Sequence, residues 1–161
     1  MFNYAIINYI NYKINIDWQV SKMNLEDEKE LILDKLKSEE VTDFLNKDNI
    51  SSMLTFGSFN NDNFSEESDI DIAIIGKHKL DLDEILETEL FLERLLKREI
   101  DVIDLRSKNL SIFLKINVLN EGLITYTNDD NYNLEIFKDE TDRVYRENEN
   151  FFWFRRKDVL S

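Results

Sequence analysis

A chain of 161 residues with 42% hydrophobic and 12% aromatic content has the length of one domain and enough apolar material for a core. Its formal net charge of −14 repels polyanions, which argues against nonspecific binding to DNA or RNA and suits a basic protein partner instead. Zero cysteines exclude disulfides and thiol chemistry, in keeping with a cytoplasmic protein, and no apolar stretch nears the roughly 20 residues that span a membrane.

Three glycines and no proline predict long elements joined by short turns. Met1 to Lys22 strings Phe2, Tyr4, Ile6, Ile7, Tyr9, Ile10, Tyr12, Ile14, Ile16 and Trp18 together with almost no charge. It lacks the basic start and small-residue cleavage site of a signal peptide. Partial alternation makes a strand one reading of it. The rival reading starts the protein at Met23, because Asn24 can cap a helix whose first turn holds Glu26, Asp27 and Glu28. Residues 1–22 are thus read as an extension, 23–128 as the domain and 129–161 as a tail. Leu31, Ile32, Leu36, Val41, Phe44 and Leu45 predict one long helix or two short ones. Met53 to Phe56 is the first core strand, Asn60 to Ser68 a short helical turn and loop, and Asp69 to Ile75 a second strand. His78, between lysines, reads as an exposed loop residue. Leu82 to Lys97 predicts a helix with Ile85, Thr88, Leu92, Leu95 and Leu96 along one stripe. Glu99 to Leu105 is a third strand, Asn109 to Val118 a helix, and Leu123 to Thr125 a short last strand. The tail places Leu134, Phe137, Thr141, Val144 and Tyr145 at helical spacings. It then runs into Phe151-Phe152-Trp153-Phe154-Arg155-Arg156-Lys157. Four consecutive aromatics cannot all face one core, so Phe152, Trp153, Arg155 and Arg156 are candidates for contact with a partner. The plainer alternative is a terminal helix wrapped on the core.

The chemistry concentrates around Leu54-Thr55-Phe56-Gly57-Ser58 and Ser68-Asp69-Ile70-Asp71-Ile72. Alternation puts Asp69, Asp71 and Ala73 on one face of the strand. Adjacent carboxylates repel unless a cation lies between them. A third carboxylate comes from Asp101 or Asp104, which point to opposite faces of the next strand; periodicity does not choose between them. Three carboxylates without Cys or His make a hard oxygen site for Mg²⁺ or Mn²⁺ rather than zinc. Since Mg²⁺ usually shares its shell with substrate phosphates, the site implies a nucleotide. Gly57 would let backbone approach a phosphate, and Ser58 reads as a phosphate contact, as a helix N-cap, or as both together.

Gly57-Ser58, ten intervening residues, Asp69-x-Asp71 and a later strand carrying Asp101 resemble the polymerase-β-type nucleotidyltransferase superfamily. Phe56-Gly57-Ser58 with Ser68-Asp69-Ile70-Asp71 resembles its minimal branch more narrowly, as does Asn120-Glu121-Gly122-Leu123-Ile124-Thr125-Tyr126. The resemblance spans about Leu54 to Tyr126. It implies an α+β fold, a small mixed sheet flanked by helices with a helical, aromatic tail. It also selects Asp101 as the third carboxylate, leaving Asp104 structural. One departure stands out: the branch usually has a basic residue just after Gly-Ser. Here Phe59-Asn60-Asn61-Asp62-Asn63-Phe64 carries none, which leaves Lys77 or Lys79 as candidates to hold phosphate.

The reaction implied is nucleotidyl transfer from ATP, with Asp69 and Asp71 binding two Mg²⁺ and Asp101 ligating one while helping to deprotonate an acceptor hydroxyl. Branch members of this size resemble antitoxins paired with HEPN-domain RNase toxins, which implies AMP transfer to a toxin tyrosine. Two alternatives stand beside it: transfer to a small-molecule hydroxyl, and an antitoxin that acts by binding alone. For the aspartates themselves, the competing reading is a solvated acidic edge.

Overall fold

The computed structural model describes residues 4–47 and 49–160. Four strands, β1 (Ile50–Phe56), β2 (Ile70–Gly76), β3 (Ile100–Asp104) and β4 (Leu123–Thr127), form one sheet in the order β3-β2-β1-β4. β1 runs antiparallel to both β2 and β4, whereas β2 and β3 are parallel. The parallel pair requires a crossover, supplied by helix α3 (Leu82–Leu96). Its start is fixed by a reciprocal capping box between Asp81 and Glu84. The remaining helices are α1 (Tyr4–Leu36), α2 (Glu39–Lys47), α4 (Ile112–Glu121), α5 (Tyr132–Glu147) and α6 (Glu149–Leu160). This is the expected mixed sheet flanked by helices.

Strand alternation sorts the core into two layers. Ile50, Met53, Ile70, Ile72, Ile74, Ile100 and Val102 face Ile32, Leu36, Val41, Leu45, Leu92 and Leu96 of α1 to α3. Leu54, Ala73 and Ile75 face the other way, toward Val118 of α4 and Leu134 and Phe137 of α5. Each fully buried Leu or Ile stabilises by roughly 1.5–3 kcal/mol, so both layers hold the sheet and neither strand face is free to slip register. The Leu82–Lys97 stripe is core as read, with Thr88, Leu92 and Leu96 buried.

The strand reading of the N-terminal segment fails. From Tyr4 onward the chain is helical without a break to Leu36, so no strand forms there, and Asn24 lies inside α1 rather than at a cap. The reason lies in the spacing: Ile7, Ile10, Ile14, Leu25, Ile32 and Leu36 also recur at 3, 4, 7 and 11 residues, the repeat of a helical face. That period continues into a stretch packed on the core at Ile32 and Leu36, and alternation has no neighbouring strand to pair with. The helical reading of residues 24–45 divides into the end of α1 and α2.

Candidate active site

The acidic residues gather where β1 ends and β2 and β3 begin. In the ladder, Asp71 is opposite Phe56 of β1 on one side and Asp101 of β3 on the other. Asp69 lies two residues before Asp71 and is exposed, as is Asp101, while Asp71 is half-buried. Burial, then the charges of Asp69 and Asp101, push the Asp71 carboxyl above its usual range. Three like charges therefore act on one another across two neighbouring strands, with Asp71 in the middle.

Gly57 explains why Asp71 fits. Its φ of 69° is left-handed, and a Cβ there would overlap Oδ2 of Asp71. The backbone thus closes directly over the carboxylate, a geometry only glycine allows without strain. Gly57 and the next three residues form a single 3-10 turn, Gly57–Asn60. Ser58 is the second residue of that turn and not its cap, which is Phe56, so the N-cap reading of Ser58 is overturned. Asparagines lock the turn. Asn60 Nδ2 donates to the Thr55 carbonyl at 2.7 Å and the Glu121 carbonyl at 3.2 Å, and its Oδ1 accepts from Thr55 Oγ1 at 2.7 Å. Asn61 Nδ2 donates to the Gly57 carbonyl at 3.3 Å.

Asp104 has a different fate. It is 2% exposed and accepts from the backbone N–H of Leu80 at 2.9 Å and of Arg106 at 3.0 Å, so it ties the β2–α3 connection to the end of β3. Only Asp101 is left to join the other two, as the resemblance implies.

The lysines do not reach the site. Lys77 follows Gly76 at the far end of β2, six residues from Asp71 and so about 20 Å along the strand. Lys79 lies beyond it and is exposed, as is His78. Two cations that sequence reasoning missed lie nearer the turn. Lys29 of α1 donates to the Asn61 carbonyl at 2.8 Å, with its ammonium over the rings of Phe59 and Phe64. Arg98 donates to the carbonyls of Ser65 at 2.8 Å and Ser68 at 2.6 Å, pairs with Glu28 at 3.1 Å and stacks over Phe64. It clamps the loop that delivers Asp69. Nothing in the sequence singles it out: Arg98 follows Lys97, and its contacts with Ser65 and Ser68 join positions 33 and 30 residues apart.

In donor chemistry the three aspartates suit a hard divalent ion, and the repulsion around Asp71 is what such an ion would relieve. Among the described residues, no three His, Cys, Asp or Glu side chains stand close enough to hold one without moving. Asp69 and Asp101 are exposed, and exposed side chains rotate within nanoseconds.

In the tail, Phe151, Trp153 and Phe154 are exposed and Phe152 is half-buried against Phe113 and Tyr145. Three of the four aromatics thus face outward, more than the sequence required. Phe152, Arg155 and Arg156 line a cavity of about 810 Å³ with Lys108 and Phe113. No described helix is long and apolar enough to cross a membrane.

The fold has clear counterparts. A chain of a toxin-antitoxin structure with AMP-PNP superposes with a TM-score of 0.63 at 24% identity, over 75% of this chain and 96% of that one. A chain of the Shewanella oneidensis complex of a tri-AMPylated HEPN toxin with MNT antitoxin gives 0.60 at 21% identity, over 83% and 99%. A chain of an MntA-HepT toxin-antitoxin structure gives 0.59 at 23%, over 78% and 98%. Comparison with curated proteins finds no match. Residues 39–131, which contain the turn, all three aspartates and the whole sheet, match the family described as Polymerase beta, Nucleotidyltransferase. The chain belongs to that nucleotidyltransferase family.

Proposed function

We propose that this protein transfers AMP from ATP to a tyrosine of a HEPN-type toxin and thereby neutralises it. The observation that carries the reading is the register of Asp71 beside Asp101 and under Gly57, with Asp69 two residues upstream. In this reading Asp69, Asp71 and Asp101 hold Mg²⁺ or Mn²⁺, which would supply charge neutralisation and alignment of the ATP phosphates. Gly57 and Ser58 cradle phosphate, with Ser58 donating its hydroxyl. Asp101, the most accessible on β3, also accepts the proton of the incoming tyrosine hydroxyl. That oxygen attacks the α-phosphorus, the bond to the bridging oxygen breaks, and pyrophosphate leaves. Positioning of the two reactants contributes much of the acceleration.

Support for the acceptor comes from the fold's likeness to chains of toxin-antitoxin structures, one holding a tri-AMPylated toxin and another AMP-PNP. The tail supplies the second strand of the argument. Trp153 is exposed with Lys157 over its ring, Phe152, Arg155 and Arg156 line the cavity, and aromatic residues with arginine are the composition of interface hot spots. We assign Phe152, Trp153, Arg155 and Arg156 to toxin contact and residues 129–161 to a partner-binding unit.

One observation favours a second reading, an antitoxin that acts by binding alone: no basic residue follows Ser58. Incubating the protein with a HEPN toxin, ATP and Mg²⁺, followed by intact mass spectrometry, separates the two. The proposal expects the toxin to gain AMP units, and to gain none with Asp71→Asn. Toxin silenced without any mass change by wild type and Asp71→Asn alike would leave only the binding role.

A further inference from the structure

The first half of α1 is the least explained part of the molecule. Ile6, Ile7, Tyr9, Ile10, Tyr12, Ile14 and Ile16 are all between 39% and 67% exposed, consecutive turns of a helix with apolar groups around most of its circumference and Asn8, Asn11 and Asn15 on the remainder. A face this broadly apolar is normally buried. The composition makes the point sharper. Isoleucine, tyrosine and asparagine are indifferent helix formers, and helices gain most of their stability from packing. Yet these turns are helical although, among the described side chains, α1 packs on the core only from Leu25 onward.

We infer that this segment is a self-association seam, occupied by the same segment of a second copy of the chain. Three observations select that occupant. First, the core-facing stripe of α1 continues into it: Ile7, Ile10 and Ile14 lie on the side of the helix that carries Leu25, Ile32 and Leu36. Second, the uncovered apolar area is large: the seven exposed side chains leave on the order of 800 Å², part of it on the isoleucine stripe that would face a partner, where a standard interface takes ~800 Å² from each side. Third, the charge is right for a like partner. Between Ile6 and Gln19 the only charged residues are Lys13 and Asp17, one of each sign, in a chain of net −14. Two copies can meet there without pressing their acidic surfaces together, whereas a basic partner would gain no attraction from it. From Tyr4 to Lys22 the helix extends about 28 Å, several times the ~8 Å screening length at physiological salt. Tyr9, to the flank of Ile10, and Tyr12, on the opposite side from it, can both keep their hydroxyls in water.

Sedimentation equilibrium of the full chain at micromolar concentration tests this. The expected mass is twice the 19.3 kDa of one chain. Ile10→Lys with Ile14→Lys should give the single-chain mass, with the thermal midpoint of the body and nucleotidyl transfer retained, while Asn15→Lys, off the stripe, stays dimeric. Flotation with anionic phosphatidylglycerol vesicles and titration with the toxin run alongside. A wild-type chain that sediments as a monomer overturns the inference, whether or not vesicles or toxin then bind the segment. So does a dimer that survives both lysines.

Discussion

The two aspartates of β3 make an instructive pair. Asp101 and Asp104 differ by three residues, belong to the same five-residue strand and carry the same side chain. Asp104 is sealed in and satisfied by two backbone amides that reward its charge. Asp101 lies in the open and faces Asp71 across the ladder, where its charge is a burden on its neighbour. A carboxylate that the fold has paid for is structural; one held beside like charges, with the backbone closed over the central member, is kept for something the folded chain alone does not supply.

Substitutions at the two ends of the strand should therefore fail in opposite ways. Asp71→Asn and Asp101→Asn should each lower transfer by about 100-fold or more, since charge at the reacting centre is the largest single term in such sites. Both variants should remain folded by circular dichroism. Asp104→Ala should instead cost about 2–4 kcal/mol by leaving the buried Leu80 N–H and the half-buried Arg106 N–H unpaired, read as a fall in the denaturation midpoint. Activity per folded molecule should persist. Were Asp104→Ala to abolish transfer in a fully folded protein, the distinction between the two aspartates would collapse.

Gly57→Ala should combine both failures. The left-handed backbone alone costs about 1–2 kcal/mol for a residue with a Cβ, and the added methyl displaces the Asp71 carboxylate. Activity loss larger than the stability loss explains is the expected signature. Arg98→Ala should have a smaller effect, since the arginine touches the Ser65 and Ser68 carbonyls and not the carboxylates. We expect kcat to drop roughly 10-fold, the scale of lost orientation, with KM for ATP little changed. Equal losses in Arg98→Ala and in Glu28→Gln would reduce the arginine to an ordinary ion pair.

The mildest effect concerns pH. Because the Asp71 carboxyl is held above its usual range by burial and by Asp69 and Asp101, the folded state binds its proton more tightly than the unfolded chain does. Stability from this group is thus present in acid and lost as pH rises from the ordinary carboxylate range through the raised value. Asp71→Asn should raise the melting temperature near neutral pH and flatten that part of the profile. A variant that melts lower than wild type at neutral pH would show that the aspartate is stabilising and the repulsion illusory.

Much of this was legible from the chain. Gly57-Ser58 and the alternating Asp69-Ile70-Asp71 declare a strand end and a shared face, because strand period depends on nothing distant. The choice between Asp101 and Asp104 was not, since alternation places them on opposite faces without saying which face the neighbouring strand presents. Register across the β2–β3 ladder decides it. The extended reading of the first residues failed because isoleucines at 6, 7, 10, 14 and 16 satisfy both periods, and only continuity with the packed end of α1 breaks the tie. Lys77 and Lys79 misled because proximity in sequence to Asp71 becomes the length of a strand in space. Lys29 and Arg98 reach the turn from helix and loop, contacts between residues 30 or more positions apart.

The central claim is that the three aspartates act together as a cation-binding centre for a bound nucleotide. Titrating Mn²⁺ into the protein with AMP-PNP, followed by electron paramagnetic resonance of the free ion, tests it most directly. Saturable binding in wild type and Asp104→Asn, lost in Asp69→Asn, Asp71→Asn and Asp101→Asn, is the result we predict. Equal Mn²⁺ uptake by wild type and all three site variants would contradict the account.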